Sequence, residues 1–202
     1  MNKAVVVECI GTFVLSLVVI LSLSGSYPVA TPILAGVVLM IFVYTIGSIS
    51  GSHINPGVTI GLLSLKKIRP MLAAQYVGAQ LLGAVVAIAV AGIAGKTIIP
   101  IDPPGQFQSY FFEWLGMVLF AFGICAVVSD EKKSLVSGIV IGGSLFLGIS
   151  LSVMGGGAGI LNPAVALALR TMDPWYYAAE ILGGVIGFQL YAALYHSHKK
   201  HV

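Results

Sequence analysis

Two short segments of this chain hold the residues best suited to act on a small molecule. They are Ser-Gly-Ser-His-Ile-Asn-Pro-Gly at 50–57 and Gly-Ile-Leu-Asn-Pro-Ala at 159–164. Each places an asparagine amide, which both donates and accepts hydrogen bonds, directly before a proline and a helix-compatible run. Proline suits the first position of a helix because it has no N–H to satisfy and its φ is already helical. Asn55 and Asn162 are therefore predicted to be helix N-caps.

The composition places both segments in a membrane protein. Of 202 residues, 58% are hydrophobic and only 8% are charged, too few charges to cover the surface of a soluble domain. Single apolar stretches of about 20 residues are long enough to cross a bilayer. Six such stretches are predicted to be transmembrane helices in one channel domain over 1–202, at 4–24, 31–50, 71–94, 109–129, 135–154 and 175–195.

The same composition argues against several functional classes. Cys9 and Cys125 both fall inside predicted spans, where they suit helix packing, and their spacing forms neither a disulfide framework nor a metal site. No segment resembles a nucleophile with its base or a phosphate-binding loop. We therefore expect no enzyme activity, no cofactor, no metal and no nucleic-acid partner.

The ten Lys and Arg residues predict the orientation in the membrane. Only Lys96 and Arg170 fall on one side of the six spans, and positive charge concentrates on the cytoplasmic side. The chain termini are thus expected in the cytoplasm of a cell, with the protein in its plasma membrane. The eight residues on the cytoplasmic side are Lys3, Lys66, Lys67, Arg69, Lys132, Lys133, Lys199 and Lys200.

The two halves of the chain, roughly 1–96 and 105–202, repeat one pattern. Asn162 lies 107 residues after Asn55, and Glu113 lies 105 residues after Glu8. Three spans in each half invert the second half relative to the first, and such repeats place a site near the bilayer midplane. The half-helices are expected to end near residues 65 and 171. About ten residues extend about 15 Å, half of the hydrocarbon core, so two half-helices from opposite faces would meet in the middle.

With these features together, the chain resembles the major intrinsic protein family, the aquaporins and glycerol facilitators. The run from Gly47 to Gly61 is similar to the family's first Asn-Pro-Ala loop, and Glu8 and Glu113 match glutamates of its first and fourth helices. The resemblance implies an all-α membrane fold with six transmembrane helices and two re-entrant half-helices. It also implies a homotetramer, one pore per subunit, and passive flow of water or small neutral solutes.

The two Asn-Pro triplets would lie at the bilayer midplane. The half-helix that follows each triplet has about half a positive charge at its N-terminus. Two such ends aimed at one point disfavour cations and protons. Water that accepts hydrogen bonds from both asparagine amides cannot relay a proton. Backbone carbonyls of 50–54 and 157–161 would line one wall of the pore. The residues of these motifs are Asn55, Pro56, Gly57, Asn162, Pro163 and Ala164.

Three ionisable residues near the motifs each have two possible roles. Glu8 and Glu113 are expected to accept hydrogen bonds from loop N–H groups, the alternative being a proton relay. His53 would either line the cytoplasmic mouth or hold its loop.

The outer selectivity filter departs from the family pattern. The family usually has an arginine after its second motif, an aromatic residue on helix two and often a histidine on helix five. In this chain the arginine position holds Val165, the helix-two position holds Ala35 and the helix-five position holds Ser150. A fourth filter position, in the loop before the second motif, holds Gly159. Since all four are small or apolar, the filter is expected to be wide and uncharged, so that glycerol, urea or ammonia would not be excluded by size.

The roles of two further residues stay open, and two alternative functions are considered. Glu180 could pair with Arg170 near the outer end of the pore, or make a polar contact at a subunit interface. An inverted-repeat secondary transporter would need a coupling-ion site, for which few membrane carboxylates are available. A non-conducting structural or junction protein would not need two intact Asn-Pro motifs.

Overall fold

A computed structural model describes residues 2–25, 27–98, 100–101, 105–129 and 135–199. Lys132, Lys133 and Lys200 of the predicted cytoplasmic group lie outside these residues. The described residues form eight helices and no strand. In chain order these are α1 (Lys3–Leu23), α2 (Thr31–Ser50), α3 (Pro56–Ser64), α4 (Pro70–Ile93), α5 (Phe107–Val128), α6 (Ser137–Met154), α7 (Pro163–Ala168) and α8 (Pro174–Lys199).

Six of the helices are long and apolar enough to cross a bilayer, which confirms the predicted all-α membrane architecture. Their bounds lie within two residues of the predicted spans, except that α8 continues to Lys199. Proline explains where three of the long helices begin: α2 has a proline in its first turn, and α4 and α8 begin at proline. Large apolar side chains such as Ile41, Leu82 and Leu147 remain about half exposed on the outer faces, as lipid-facing residues would be.

The two short helices, α3 and α7, begin where the Asn-Pro pairs predict, but α7 ends three residues earlier than expected. Arg170 has a left-handed backbone with φ 56°, and Lys66 has φ 58° after the end of α3. A non-glycine residue in this region stops a right-handed helix. The N–H of Thr171 bonds instead to the carbonyl of Ala166 and closes the end of α7.

Glycines set the closest approaches between the long helices. α1 packs against α4 and α5 packs against α8. A Cβ atom on Gly83 would meet the carbonyl oxygen of Cys9, and one on Gly187 would meet that of Val118. These are backbone atoms, which cannot move aside as a side chain can, so the absence of a side chain allows each pair of helices to touch.

The half-helices pack across the two halves of the chain. α3 lies against α8, and α7 lies against α4. A Cβ atom on Gly184 would meet the Gly57 carbonyl oxygen at 2.6 Å, so α8 contacts the first turn of α3 directly. Both half-helices are buried at their N-terminal turns. The long helices therefore hold the two Asn-Pro motifs at the centre of the molecule.

Candidate pore

Each asparagine of the two motifs caps its own half-helix through its side-chain oxygen. Asn55 Oδ1 accepts from the N–H of Gly57 at 2.8 Å, and Asn162 Oδ1 accepts from the N–H of Ala164 at 3.0 Å. Both asparagines have extended backbones and are 2% exposed. The caps orient each amide so that its nitrogen points away from the half-helix that it terminates.

The amide nitrogens connect the two halves reciprocally. Asn55 Nδ2 donates to the carbonyl of Leu161 at 2.8 Å, and Asn162 Nδ2 donates to the carbonyl of Ile54 at 3.1 Å. An asparagine amide has two N–H groups. Each cross-link uses one of them, so the other N–H of each amide has no partner among the described residues.

The backbone before each asparagine contains left-handed residues, which bring the N–H groups of the loop close together. Ile54 and Leu161, directly before the asparagines, have φ values of 38° and 51°. Ser52 and Gly159 have φ values of 49° and 68°. Such a conformation costs about 1–3 kcal/mol for a non-glycine residue and persists only where other contacts enforce it. The repeated strain in both loops indicates that the pore requires this shape.

In the first half, the enforcing contact is the carboxyl of Glu8. Its Oε1 atom accepts from the N–H of His53 at 2.9 Å and from the hydroxyl of Ser50 at 2.6 Å. Its Oε2 atom accepts from the N–H of Ile54 at 2.6 Å and from Nε2 of Gln80 at 2.8 Å. Glu8 is fully buried, and both oxygens are occupied by donors that shape the loop.

Glu113 makes the equivalent contacts in the second half. Its Oε1 atom accepts from the N–H groups of Ile160 and Leu161, each at 2.7 Å. Its Oε2 atom accepts from the N–H of Gly159 at 2.8 Å and from the hydroxyl of Ser152 at 2.6 Å. These bonds match the loop-supporting role expected of both carboxyls, since every carboxyl oxygen has at least two donors.

His53 is buried in the first loop. Its Nδ1 atom lies 3.1 Å from Oγ1 of Thr59, and its ring packs edge-on against Tyr76 at a centroid distance of 5.2 Å. Thr59 also donates to the carbonyl of Asn55 at 3.0 Å. Of its two expected roles, this geometry favours holding the loop.

On the side of the asparagines that the sequence predicts to face outward lies a cavity of ≈ 200 Å³, the outer cavity. Asn162 lies at its inner end, and α1, α2 and α6 form its walls together with loop 158–160. That volume holds several water molecules. A second space of ≈ 200 Å³ shares Leu23, Ile101 and Leu169 with the first, so the cavity continues from the midplane toward one end of the molecule.

Three of the four expected filter residues line this cavity. Ala35 and Val165 are 2% and 4% exposed, and Gly159 contributes at its loop position. Ser150 does not line the cavity, which corrects the expectation for helix five. Its hydroxyl donates to the carbonyl of Phe146 on its own helix, while Ile149 faces the cavity. A shift of one residue turns a helical side chain by about 100°, so the neighbour takes the place.

The expected pairing of Glu180 with Arg170 is wrong. Glu180 is fully buried, and its Oε1 atom accepts from the backbone N–H of Asn162 at 3.0 Å. Arg170 is exposed at the left-handed residue after α7. The Glu180 side chain is buried on α8, whereas the Arg170 side chain is exposed after the end of α7, so the two do not pair.

The family model described as major intrinsic protein matches residues 1–196 of the 202. The chain belongs to the major intrinsic protein family. This confirms the resemblance seen in the sequence.

Individual members of the family agree. Aquaporin AqpM of Methanothermobacter thermautotrophicus is 32% identical in an alignment that covers 83% of this chain and 75% of that protein. Nodulin-26 of Glycine max is 30% identical in an alignment that covers 81% of this chain and 65% of nodulin-26, slightly under two thirds of its length. The solved aquaglyceroporin of Plasmodium falciparum superposes with a TM-score of 0.64 over 95% of both chains at 22% identity, which supports the fold.

Family membership and the facing Asn-Pro motifs together make this chain a passive channel for water or small solutes in a membrane that it crosses several times. Two residues around the motif pair, Gln80 and Ile149, were not expected from sequence, and Glu180 was expected to have a different partner from Asn162. Gln80 is a polar residue within an apolar span, which was a usable signal. Ile149 gave no signal, because it is apolar among apolar neighbours.

Proposed function

We propose that this channel conducts water and also admits uncharged solutes larger than water, such as glycerol, urea or ammonia. The observation behind the proposal is the outer cavity, whose described lining residues include no charged side chain. Val165 occupies the position directly after the second motif, where relatives usually have arginine. An uncharged wall with valine at this position lacks both the length and the fixed positive charge of an arginine side chain.

The wall of this cavity suits molecules with both polar and apolar surface. Apolar side chains from α1, α2 and α6 form most of it. Thr31, the Asn162 amide and the backbone of loop 158–160 supply the polar groups. A neutral polyol or amide can therefore keep hydrogen bonds on one side while its carbon atoms contact the other side.

Exclusion of protons and cations then rests on the two asparagines. Each offers one N–H after its cross-link to the other loop. A water that accepts from both has its own hydrogens directed away from the pair, so it cannot pass a proton between its neighbours. The N-terminal ends of α3 and α7 add positive potential at the same point.

The wider context belongs to the same proposal. The chain would act as a homotetramer with one pore per subunit and without enzyme activity. Its inverted repeats would span about 1–96 and 105–202 in one domain over 1–202. Lys3, Lys66, Lys67 and Arg69 would face the cytoplasm with both termini, in the plasma membrane. Native mass spectrometry in mild detergent tests the tetramer, and protease protection of terminal tags tests the orientation.

Stopped-flow light scattering on proteoliposomes tests the transport function. Vesicles with the protein should shrink faster than empty vesicles under a sucrose gradient. They should also re-swell faster under a glycerol gradient. Permeability to water without permeability to glycerol would refute the wide outer filter while leaving the water channel intact.

Two other outcomes would replace the channel proposal. Solute flux that saturates and depends on an ion gradient would indicate a secondary transporter. A folded protein with no permeability to any neutral solute would indicate a structural or junction role. A panel of glycerol, urea and ammonia gradients separates these outcomes in one preparation.

A further inference from the structure

Glu180 differs from the other two buried carboxyls of the pore. Glu8 and Glu113 use both of their oxygens to accept hydrogen bonds from a loop. Glu180 is equally buried on α8, but only Oε1 has a partner, the backbone N–H of Asn162 at 3.0 Å. Its Oε2 atom is buried without a hydrogen-bond partner. A buried polar oxygen without a partner is costly, so its presence calls for a role.

The contact of Glu180 completes a continuous set of anchors on the second loop. Glu113 accepts from the N–H groups of Gly159, Ile160 and Leu161. Glu180 accepts from the next N–H along the chain, that of Asn162. Four consecutive backbone N–H groups are therefore held by two carboxyls from two different long helices, and the last of them belongs to the asparagine that faces the cavity.

The first half reaches a similar result by different residues. There Gln80 on α4 donates to Oε2 of Glu8 at 2.8 Å and to the hydroxyl of Thr59 at 3.0 Å. Thr59 in turn donates to the carbonyl of Asn55. Gln80 thus braces Asn55 through its carbonyl, whereas Glu180 braces Asn162 through its N–H. The residue 104 positions after Gln80 is Gly184, which has no side chain to supply this support.

Glu180 reaches the outer cavity through Asn162. The described residues that line this cavity include Asn162 but not Glu180, so the Glu180 carboxyl is not part of its wall. The Asn162 backbone is extended at φ −156°, outside the helix that it caps, so no bond of α7 fixes its N–H. A contact at this N–H sets the backbone from which the Asn162 amide extends.

We propose that Glu180 is a positioning residue that aims the Asn162 amide at the pore by holding the Asn162 backbone N–H. This inference rests on the proposed channel function. It predicts that an acceptor oxygen at position 180 is needed, whether or not that oxygen belongs to a charged group. It also predicts a larger response at Asn162 than at Asn55, because Gln80 and Thr59 support Asn55 independently of Glu180.

The variants Glu180→Gln, Glu180→Leu and Glu180→Met test the requirement for an acceptor. Solid-state NMR of the protein in lipid vesicles reports the hydrogen bond at the Asn162 backbone amide through its proton and nitrogen shifts. These shifts should stay in place in E180Q and move in E180L and E180M, with a smaller change at Asn55, which is linked to Asn162 through the carbonyl of Ile54. Leu182→Ala, on the exposed side of α8, is the control for general changes in this helix.

Water permeability of the same preparations measures the consequence. E180L and E180M should lose about fivefold relative to the wild type, the scale set by the loss of one hydrogen bond. E180Q and L182A should retain the wild-type rate. Full permeability in E180L with a moved Asn162 shift would overturn the positioning role, as would an Asn162 shift that does not move at all.

A measurement on the wild type covers the case in which neither apolar variant folds. Dipolar recoupling between the labelled Glu180 carboxyl carbon and the Asn162 backbone nitrogen should show hydrogen-bonding proximity. Its absence would overturn the inference. If the wild-type vesicles conduct nothing, the channel proposal fails, yet the NMR result still decides whether Glu180 holds Asn162.

Discussion

The Nδ2 atom of Asn55 lies 2.8 Å from the carbonyl oxygen of Leu161, 106 residues later in the chain. With the reciprocal bond from Asn162 to Ile54, it joins the two half-helices at their N-terminal ends. The amides that we propose to face the permeating molecule therefore also hold the two halves together. Substitutions at either asparagine should change both stability and selectivity.

Asn162→Asp should separate the donor role of this amide from its capping role. Aspartate still caps α7 through one oxygen, but it places a second oxygen against the carbonyl of Ile54, 3.1 Å from the present nitrogen. Loss of the buried bond should cost about 1–3 kcal/mol, read as a lower thermal unfolding temperature in detergent. A negative charge at the midplane should also raise the proton leak of vesicles, measured with a trapped pH dye.

Asn2→Asp is the matched control for this substitution. Asn2 caps α1 through its side-chain oxygen but is exposed, and aspartate is an equally good cap. N2D should leave stability and leak unchanged. Equal unfolding temperatures for N162D and N2D would contradict the role assigned to the cross-loop bond.

Glu113→Gln should destabilise the second loop. Glutamine keeps one acceptor oxygen and replaces the other by an NH2 group. Either the N–H groups of Ile160 and Leu161 lose their acceptor, or the N–H of Gly159 is left with Oγ of Ser152 alone at 3.1 Å. We expect a loss of about 1–3 kcal/mol for each buried donor left unpaired. Reversible unfolding in mixed micelles gives the free energy directly.

Asp173→Asn provides the comparison for E113Q. This partly exposed residue accepts from the N–H of Trp175 at 2.9 Å and from the hydroxyl of Tyr110. Asparagine can keep the first bond through its oxygen and donate to the Tyr110 oxygen through its NH2 group. Its substitution should cost less than about 1 kcal/mol. Similar losses for D173N and E113Q would mean that the Glu113 bonds contribute no more than a surface contact.

Val165→Arg should convert the outer cavity into a narrower, positively charged filter. Val165 is 4% exposed and lines the cavity, so an arginine there must occupy the path or displace its wall. Glycerol permeability should fall about tenfold, equivalent to an added barrier of about 1.4 kcal/mol, with a smaller effect on water. Paired glycerol and water gradients in stopped flow measure the ratio.

Val165→Gln distinguishes size from charge at the same position. Glutamine is long and polar but neutral, so it should reduce glycerol flux through size alone. A comparable loss of glycerol permeability in V165R and V165Q would show that the width of the cavity, and not its charge, limits the passage of glycerol. An unchanged glycerol rate in V165R would show that solutes do not pass by this residue.

Gly83→Ala and Gly78→Ala should have opposite effects although both lie on α4. A Cβ atom on Gly83 would meet backbone atoms of Cys9 and Phe13, whereas one on Gly78 would meet nothing within 4 Å. G83A should destabilise by about 1–3 kcal/mol through overpacking. G78A should be neutral or slightly stabilising, because alanine has less backbone freedom to lose.

The same thermal unfolding assay compares these two variants under identical conditions. Gly187→Ala, at the α5–α8 contact, should behave like G83A, since its Cβ would meet the Val118 carbonyl. Tolerance of alanine at Gly83 and Gly187 alike would show that neither helix pair depends on the close approach seen in the structure.

The sequence alone determined the architecture and the centre of the pore. Length and hydropathy define the six spans, because a helix in lipid must satisfy its own backbone over the full bilayer thickness. The Asn-Pro pairs define where the half-helices begin, since capping and proline geometry act over a few adjacent residues. Glu8 and Glu113 stood out because a carboxyl in an apolar span needs partners.

Only the tertiary structure decided which side chains meet. The bond from Asn55 to Leu161 and the contact of Glu180 with Asn162 join residues from different helices, and no local signal specifies such a partner. The cavity wall has Ile149 rather than Ser150 because the rotation of α6 is set by its packing. Spacing places a residue on a helix, whereas packing decides which face of that helix looks into the pore.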